Sequence, residues 1–172
     1  MKLIIAATCL TVLFTISAFA QNKSIYTSTK TSACRTISSD ASGAGSYEGE
    51  CTGTGGYKIR LLEGDIRQTL DIITPGKKKF ELNFWGFYSG FSSIGEKIEW
   101  RTKAGIPVAL IARYNVANAE DSTKKGTSYL MISKISKTES CVVDVIMPGP
   151  KQNEDARVSA DAASTKPCKK SE

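Results

Sequence analysis

Histidine is absent from all 172 residues of the chain. That removes the commonest general base, the commonest metal ligand and the usual partner of a serine or cysteine nucleophile. Cysteine is sparse: there are five, with long spacings and no CxxC pair, so no zinc-type ligand set can be read from them. The glycine clusters Gly43-Ala-Gly45 and Gly53-Thr-Gly-Gly56 lack the Gly-Lys-Ser/Thr ending of a phosphate loop and read as turns. There is no long internal repeat and no low-complexity tract. Nothing points to a cofactor, and none is expected.

One long apolar run is present, at the start. Lys2 is the only charge before residue 23, Leu3–Phe19 is almost wholly apolar, and Ala18-Phe19-Ala20 is a small-x-small cleavage pattern. Met1–Ala20 therefore reads as a secretory signal peptide with Gln21 as the new first residue. The run is barely long enough to span a bilayer, and no basic stop follows it, which disfavours a membrane anchor. Cys9 lies too early to be a lipoprotein cysteine. The mature chain is expected to be periplasmic or secreted, with no transmembrane span.

Removal of the signal leaves 152 residues, enough for one domain with a real core. The remaining 22 Lys and Arg against 17 Asp and Glu give a mature net charge of +5, a mild excess suited to solubility or to an acidic polymer. Four cysteines remain, Cys34, Cys51, Cys141 and Cys168, and an even number in an exported chain predicts two disulfides. Three pairings are open. Cys34 and Cys51 are symmetric about Ser42-Gly43, so a hairpin folding back there sets them opposite one another. Cys141 starts a strand that climbs about 23 Å, and the helix after it descends about 18 Å, which returns Cys168 to Cys141. The pairing Cys34–Cys51 with Cys141–Cys168 is preferred.

Along the chain, residues 21–32 read as an extended lead-in, with a formal glycosylation sequon at Asn22-Lys23-Ser24. Residues 33–172 read as a single β-rich domain. Ala33–Cys51 is a hairpin. Tyr57–Leu62 and Ile66–Ile73 are strands split by Glu63-Gly64-Asp65, with Ile66, Leu70 and Ile72 on one face. Thr74-Pro75-Gly76 is a turn. Phe80, Leu82 and Phe84 alternate with Glu81 and Asn83 as another strand. Lys97–Lys103 and Pro107–Val116 form a hairpin around Ala104-Gly105. In its second strand Val108, Leu110, Ala112, Tyr114 and Val116 share one face while Ala109 and Ile111 share the other, so that strand is expected to be covered on both sides. Thr127–Ile135 and Ser140–Met147 are the last strands. Asn153–Ser164 is a helix with Asn153 at its N-cap, stopped by Pro167. The expected fold is mainly β, an antiparallel β-sandwich or partly open barrel with one C-terminal helix packed across it.

Candidate functional residues are few. Glu48 with Glu50, and Glu96 with Glu99, could act as carboxylate pairs in a hydrolase, but solvated strand faces are by far the stronger explanation of both. Three basic clusters occur: Lys77, Lys78 and Lys79; Lys124-Lys125; and Lys166 with Lys169-Lys170. Lysine on a sheet rim protects edges; a convergent rim would meet an anionic polymer. The aromatics Trp85, Phe87, Tyr88, Phe91 and Trp100 divide between core and surface. Tyr88 is the one expected to make a surface contact. Aromatics and basic residues are not interleaved as a nucleic-acid platform requires, so no nucleic-acid partner is expected.

Three stretches, Tyr57–Leu70, Phe84-Trp85 with Gly90–Gly95, and Glu99-Trp100-Arg101, resemble a family of small exported bacterial proteins of unassigned function. The resemblance covers most of the mature chain and implies an envelope or secreted protein. Tyr47-Glu-Gly-Glu-Cys51 and the general architecture are more loosely similar to periplasmic inhibitors of C-type lysozyme, although a +5 chain would be repelled by a basic lysozyme. The expectation is an exported, non-enzymatic envelope binding or structural module that engages an anionic envelope polymer or another envelope protein. The alternatives are an inhibitor of a wall-degrading enzyme and a carboxylate hydrolase.

Overall fold

The computed structural model describes residues 22–88, 90–121 and 123–171, so the expected signal Met1–Ala20 lies outside the described residues. The strands are β1 (Lys23–Ser28), β2 (Cys34–Asp40), β3 (Ser46–Thr52), β4 (Lys58–Gly64), β5 (Arg67–Ile73), β6 (Lys79–Glu81), β7 (Ser92–Lys103), β8 (Ile106–Val116), β9 (Thr127–Lys134) and β10 (Cys141–Ile146). One α-helix, α1 (Gln152–Asp161), follows β10. All ten strands belong to one mostly antiparallel sheet in the order β10-β9-β8-β7-β5-β4-β3-β2, with β1 on β7 and β6 on β5, and the sheet is not closed into a barrel. No helix among the described residues is long and apolar enough to cross a membrane.

The sheet turns over on itself between β5 and β7. These strands run parallel and share one paired position, Arg67 with Ser92. Beyond it β7 takes a different neighbour: residues 97–102 pair with residues 28–23 of β1. Lys23–Ser28, read from sequence as an aperiodic lead-in, is thus a strand. It lacks a period because its anchors are polar, as when the Trp100 indole donates to Thr27 Oγ1 at 2.8 Å.

Folding over brings the inner faces of β3–β5 and β7–β10 together. Ile59, Leu61, Leu70 and Ile72 from one half meet Ile98, Trp100, Leu110, Ala112, Tyr114 and Met131 from the other. On β8 the alternate residues Ala109 and Ile111 face outward, where α1 covers them through Ala156 and Ala160. The two-sided burial expected of β8 is therefore real, and it makes a third layer necessary. Gln152 begins the helix instead of the expected Asn153, and a short 3-10 turn, Ala163–Thr165, finishes it. Asn153 does not cap; its Oδ1 accepts from Arg113 at 3.2 Å.

Both expected disulfides are present. Cys34 and Cys51 are directly opposite in the β2–β3 register, with Cα atoms 4.2 Å apart. Cys141 and Cys168 have Cα atoms 5.7 Å apart, and Lys169 N–H donates to Val142 O at 2.8 Å, so the tail lies along the β10 edge. Two disulfides are consistent with an oxidising extracytoplasmic compartment.

Two strand readings are corrected. Ile66 does not share the core face of Leu70 and Ile72. It sits with Asp65 in a two-residue turn, both at positive φ (53° and 58°), and is 51% exposed. A β-branched residue is strained in that conformation. The strand after the Lys-rich turn ends at Glu81, because Asn83 turns left-handed (φ 46°) and starts a 3-10 turn at Phe84–Gly86. Phe84 is nevertheless fully buried, edge-on to Tyr114 at 5.6 Å.

Candidate functional site

The outer face of β2–β6 is built from the residues that alternate with the core. Registers place Arg35 opposite Glu50, Glu50 opposite Arg60, Arg60 opposite Asp71, and Asp71 opposite Glu81. The result is a row of charge crossing five strands. Glu50 accepts from Lys58 at 2.7 Å and from Arg35 at 3.2 Å, and Arg60 reaches Glu48 at 2.8 Å. The Lys58 hydrogen bond, with help from Arg35, holds the Glu50 carboxyl below its ordinary range.

At the β4–β6 end of this row lies a cavity of about 290 Å³, lined by Glu48, Arg60, Leu62, Thr69, Asp71, Lys79, Glu81, Asn83 and Trp85. Asp71 is 2% exposed. Its ion-pair partner, Lys79 Nζ, stands 3.6 Å away and lies closer to Glu81, at 2.8 Å. Burial outweighs that weak pairing and pushes the Asp71 carboxyl up to about 6. A carboxyl in that range can hold or release a proton near neutrality. Arg60 Nε is buried without a hydrogen-bond partner among the described residues. Thr69 Oγ1 accepts from Phe84 N–H at 2.9 Å, which fixes the turn that presents Trp85, 38% exposed, at the rim.

A second feature is the polarity of the two ends. The β5–β6, β7–β8 and β9–β10 turns share one end, where Lys78 Nζ donates to Thr138 O at 3.2 Å. Exposed Lys77, Lys78 and Lys137 stand on these turns and Lys103 ends β7 beside them, with the exposed Glu139 on the β9–β10 turn. Beside them is a cleft of about 430 Å³ that includes Tyr57, Ile106, Pro107 and Lys137. The opposite end carries Asp40, Asp65, Glu120 and Asp121 on its turns, together with Lys124 and Lys125. Its cleft of about 550 Å³ is lined by Asp65, Arg67, Phe91 and Glu120 among others.

The predicted site residues distribute unevenly over this frame. Lys77 and Lys78 are at the basic end. Lys79 turns into the outer-face cavity. Lys124 and Lys125 are at the far end and do not join the rim. Lys166 is tied internally, to Asp144 at 2.8 Å and Ser159 at 2.7 Å. Glu48 borders the cavity, whereas Glu50 is held by Lys58 and Arg35. Glu96 pairs with Lys30 at 3.1 Å. Glu99 accepts from Arg157 at 2.8 Å and from Ser24 at 2.6 Å. Burial alone would raise the Glu99 carboxyl, but the Arg157 and Ser24 hydrogen bonds prevail and hold it low. Tyr88 is partly buried and stacks on Tyr129 with ring centroids 4.0 Å apart. The exposed rings of the aromatic stretch are Trp85 and Phe91, and Trp100 is wholly buried. Glu139 lies beside Cys141 and Cys168, but those sulfurs are joined in a disulfide and offer no thiolate to a metal.

Sequence reasoning missed Asp71 and Arg60. Both alternate with core residues in Arg60-Leu61-Leu62 and Leu70-Asp71-Ile72, which was a signal for a polar face. Nothing local indicated that Asp71 would be buried. No family model matches the chain, and neither a curated protein nor a solved structure matches it significantly.

Proposed function

We propose that the chain is an exported, non-enzymatic binding module of the bacterial envelope that meets an anionic envelope polymer through its basic end. One observation carries this reading: Lys77, Lys78, Lys103 and Lys137, from three separate turns, come together at one end of the sheet with Glu139 as the acidic residue among them, while the opposite end mixes Asp40, Asp65, Glu120 and Asp121 with Lys124 and Lys125. A charge distribution of this kind orients the molecule on an anionic surface even though its net charge is small. The two disulfides and the resemblance to small exported bacterial proteins support a periplasmic or secreted destination. The absence of histidine supports a role other than catalysis. The test is co-sedimentation of the mature domain with isolated cell-wall polymer. Binding at low salt, lost at about 0.5 M salt as screening shortens the reach of charge, is the expected result. Replacement of Lys77, Lys78 and Lys137 by Gln removes that binding. Binding that ignores salt, or none to any envelope fraction, overturns the proposal.

A second reading, an inhibitor of a wall-degrading enzyme, is favoured by the opposite end. There Ile66 and Phe91 are 51% and 52% exposed, an apolar tip beside the ion-paired Asp65 and Arg67 and near Glu120. Exposed apolar side chains grouped in this way suit contact with a partner protein. Full enzyme activity at a large molar excess of the domain removes this reading.

A further inference from the structure

We propose that the outer-face cavity between β3 and the Phe84–Gly86 turn is a binding site for a neutral saccharide unit. The site is separate from the basic end and does not depend on the polymer reading. Three features argue for it. The cavity, about 290 Å³, is of monosaccharide size and lies at the small end of ligand pockets. Its wall mixes signs: Glu48, Asp71 and Glu81 face Arg60 and Lys79 across it. An anionic ligand would be set against three carboxyls, and an ammonium ligand against a guanidinium and an ammonium. A hydroxyl-rich neutral ligand satisfies both, since each hydroxyl donates to a carboxylate and accepts from a cation.

The third feature is the combination of ring and unfilled polar groups. Trp85, 38% exposed, stands at the rim, an indole of the kind against which the C–H face of a sugar ring packs. In the same wall Asp71 has its ion pair at 3.6 Å, and Arg60 Nε is buried with no acceptor among the described residues. Buried groups held this way are costly to the folded protein unless a ligand completes them. Asn83, left-handed at the lip of the cavity, adds an amide that can donate and accept.

The probe is an array of neutral and charged oligosaccharides, followed by titration of the best neutral binder against intrinsic fluorescence. The chain has two tryptophans, and Trp100 is fully buried, so acrylamide quenching reports on Trp85. The expected result is selective binding of neutral sugars with protection of Trp85 from quenching. Trp85→Ala and Asp71→Asn each weaken binding by roughly tenfold or more, and both leave the wall-polymer binding of the Lys77/Lys78 surface intact. No neutral binder at millimolar concentration overturns the proposal. So does preference for charged sugars, unprotected Trp85, or binding unaffected in both variants.

Discussion

The two outer faces of this sheet are made by the same alternation and meet opposite fates. On β8–β10 the outward residues are Ala109, Ile111, Leu130, Ile132 and Val143, and α1 is laid over them. On β2–β6 they are Arg35, Glu48, Glu50, Arg60, Asp71 and Glu81, and no helix among the described residues covers them. An apolar face must be buried, and the chain supplies a helix to do it. A face of paired charge can remain open, and it is here that a cavity with an aromatic rim and a buried carboxyl is found. The covered face is structural; the open face and the ends are where the proposed binding would take place.

The largest expected effect is on the covered face. Ile132→Ala, at a fully buried position beneath α1, should lower the unfolding free energy by about 3 kcal/mol in urea titration. Leu62→Ala, on the partly exposed open face, should cost less than about 1 kcal/mol. Equal losses would mean that the two faces are equally buried. Next is the tail. Joint replacement of Cys141 and Cys168 by Ser opens a closure of 27 residues and should cost about 2–4 kcal/mol, with faster hydrogen exchange at β10.

Titration separates the faces further. Asp71 has a folded-state pKa of about 6, above its ordinary 3.8, so the folded protein binds its proton more tightly than the unfolded chain. Its contribution therefore worsens as pH rises from about 4 to 6 and stays unfavourable above that window. Asp71→Asn should stabilise the protein at pH 7 by about 1–3 kcal/mol and give no gain below about pH 4. Around α1 the sense is reversed. Glu99 is buried and the Asp161 side chain is 38% exposed, yet the hydrogen bonds from Arg157 and Ser24 to the first, and from Arg101 and Asn22 to the second, outweigh desolvation and leave both lowered. Their support is present above their ordinary pKa values and is lost as pH falls through the lowered ones. Thermal melts of wild type and Asp71→Asn from about pH 2 to about pH 7 check both signs. The smallest effect is expected at the rim: Arg35, with its side chain 68% exposed, should change stability by less than about 0.5 kcal/mol on replacement by Ala.

Local pattern carried most of the fold. The symmetry of Cys34 and Cys51 about a Ser/Gly turn predicted a register in which they are direct partners. The two apolar faces of residues 107–116 predicted a layer beyond the sheet. The unread parts depend on partners far away in sequence. Lys23–Ser28 is a strand because β7 runs past β5 and needs another neighbour. Ile66 kept the period of β5, but the two-residue turn claimed it at the cost of strain. Glu50, Arg60, Asp71 and Glu81 look like ordinary solvent-facing residues one strand at a time, and they become a single row only once three registers are set. The cavity was illegible for the same reason, although Glu48, Lys79 and Trp85 had each been singled out.

The tail held by Cys141–Cys168 has a consequence for assembly. The main strand path has two ends, and one of them, β10, carries the chain's own tail, through Lys169 on Val142. The other, β2, is exposed along nearly its whole length, with a bulge between Thr36 and Ser38, and β1 and β6 each pair on one side only. An unpaired strand edge is a place where another chain can add. The disulfide near the C-terminus takes one such edge out of reach, and its reduction should make β10 more open to pairing with a second copy.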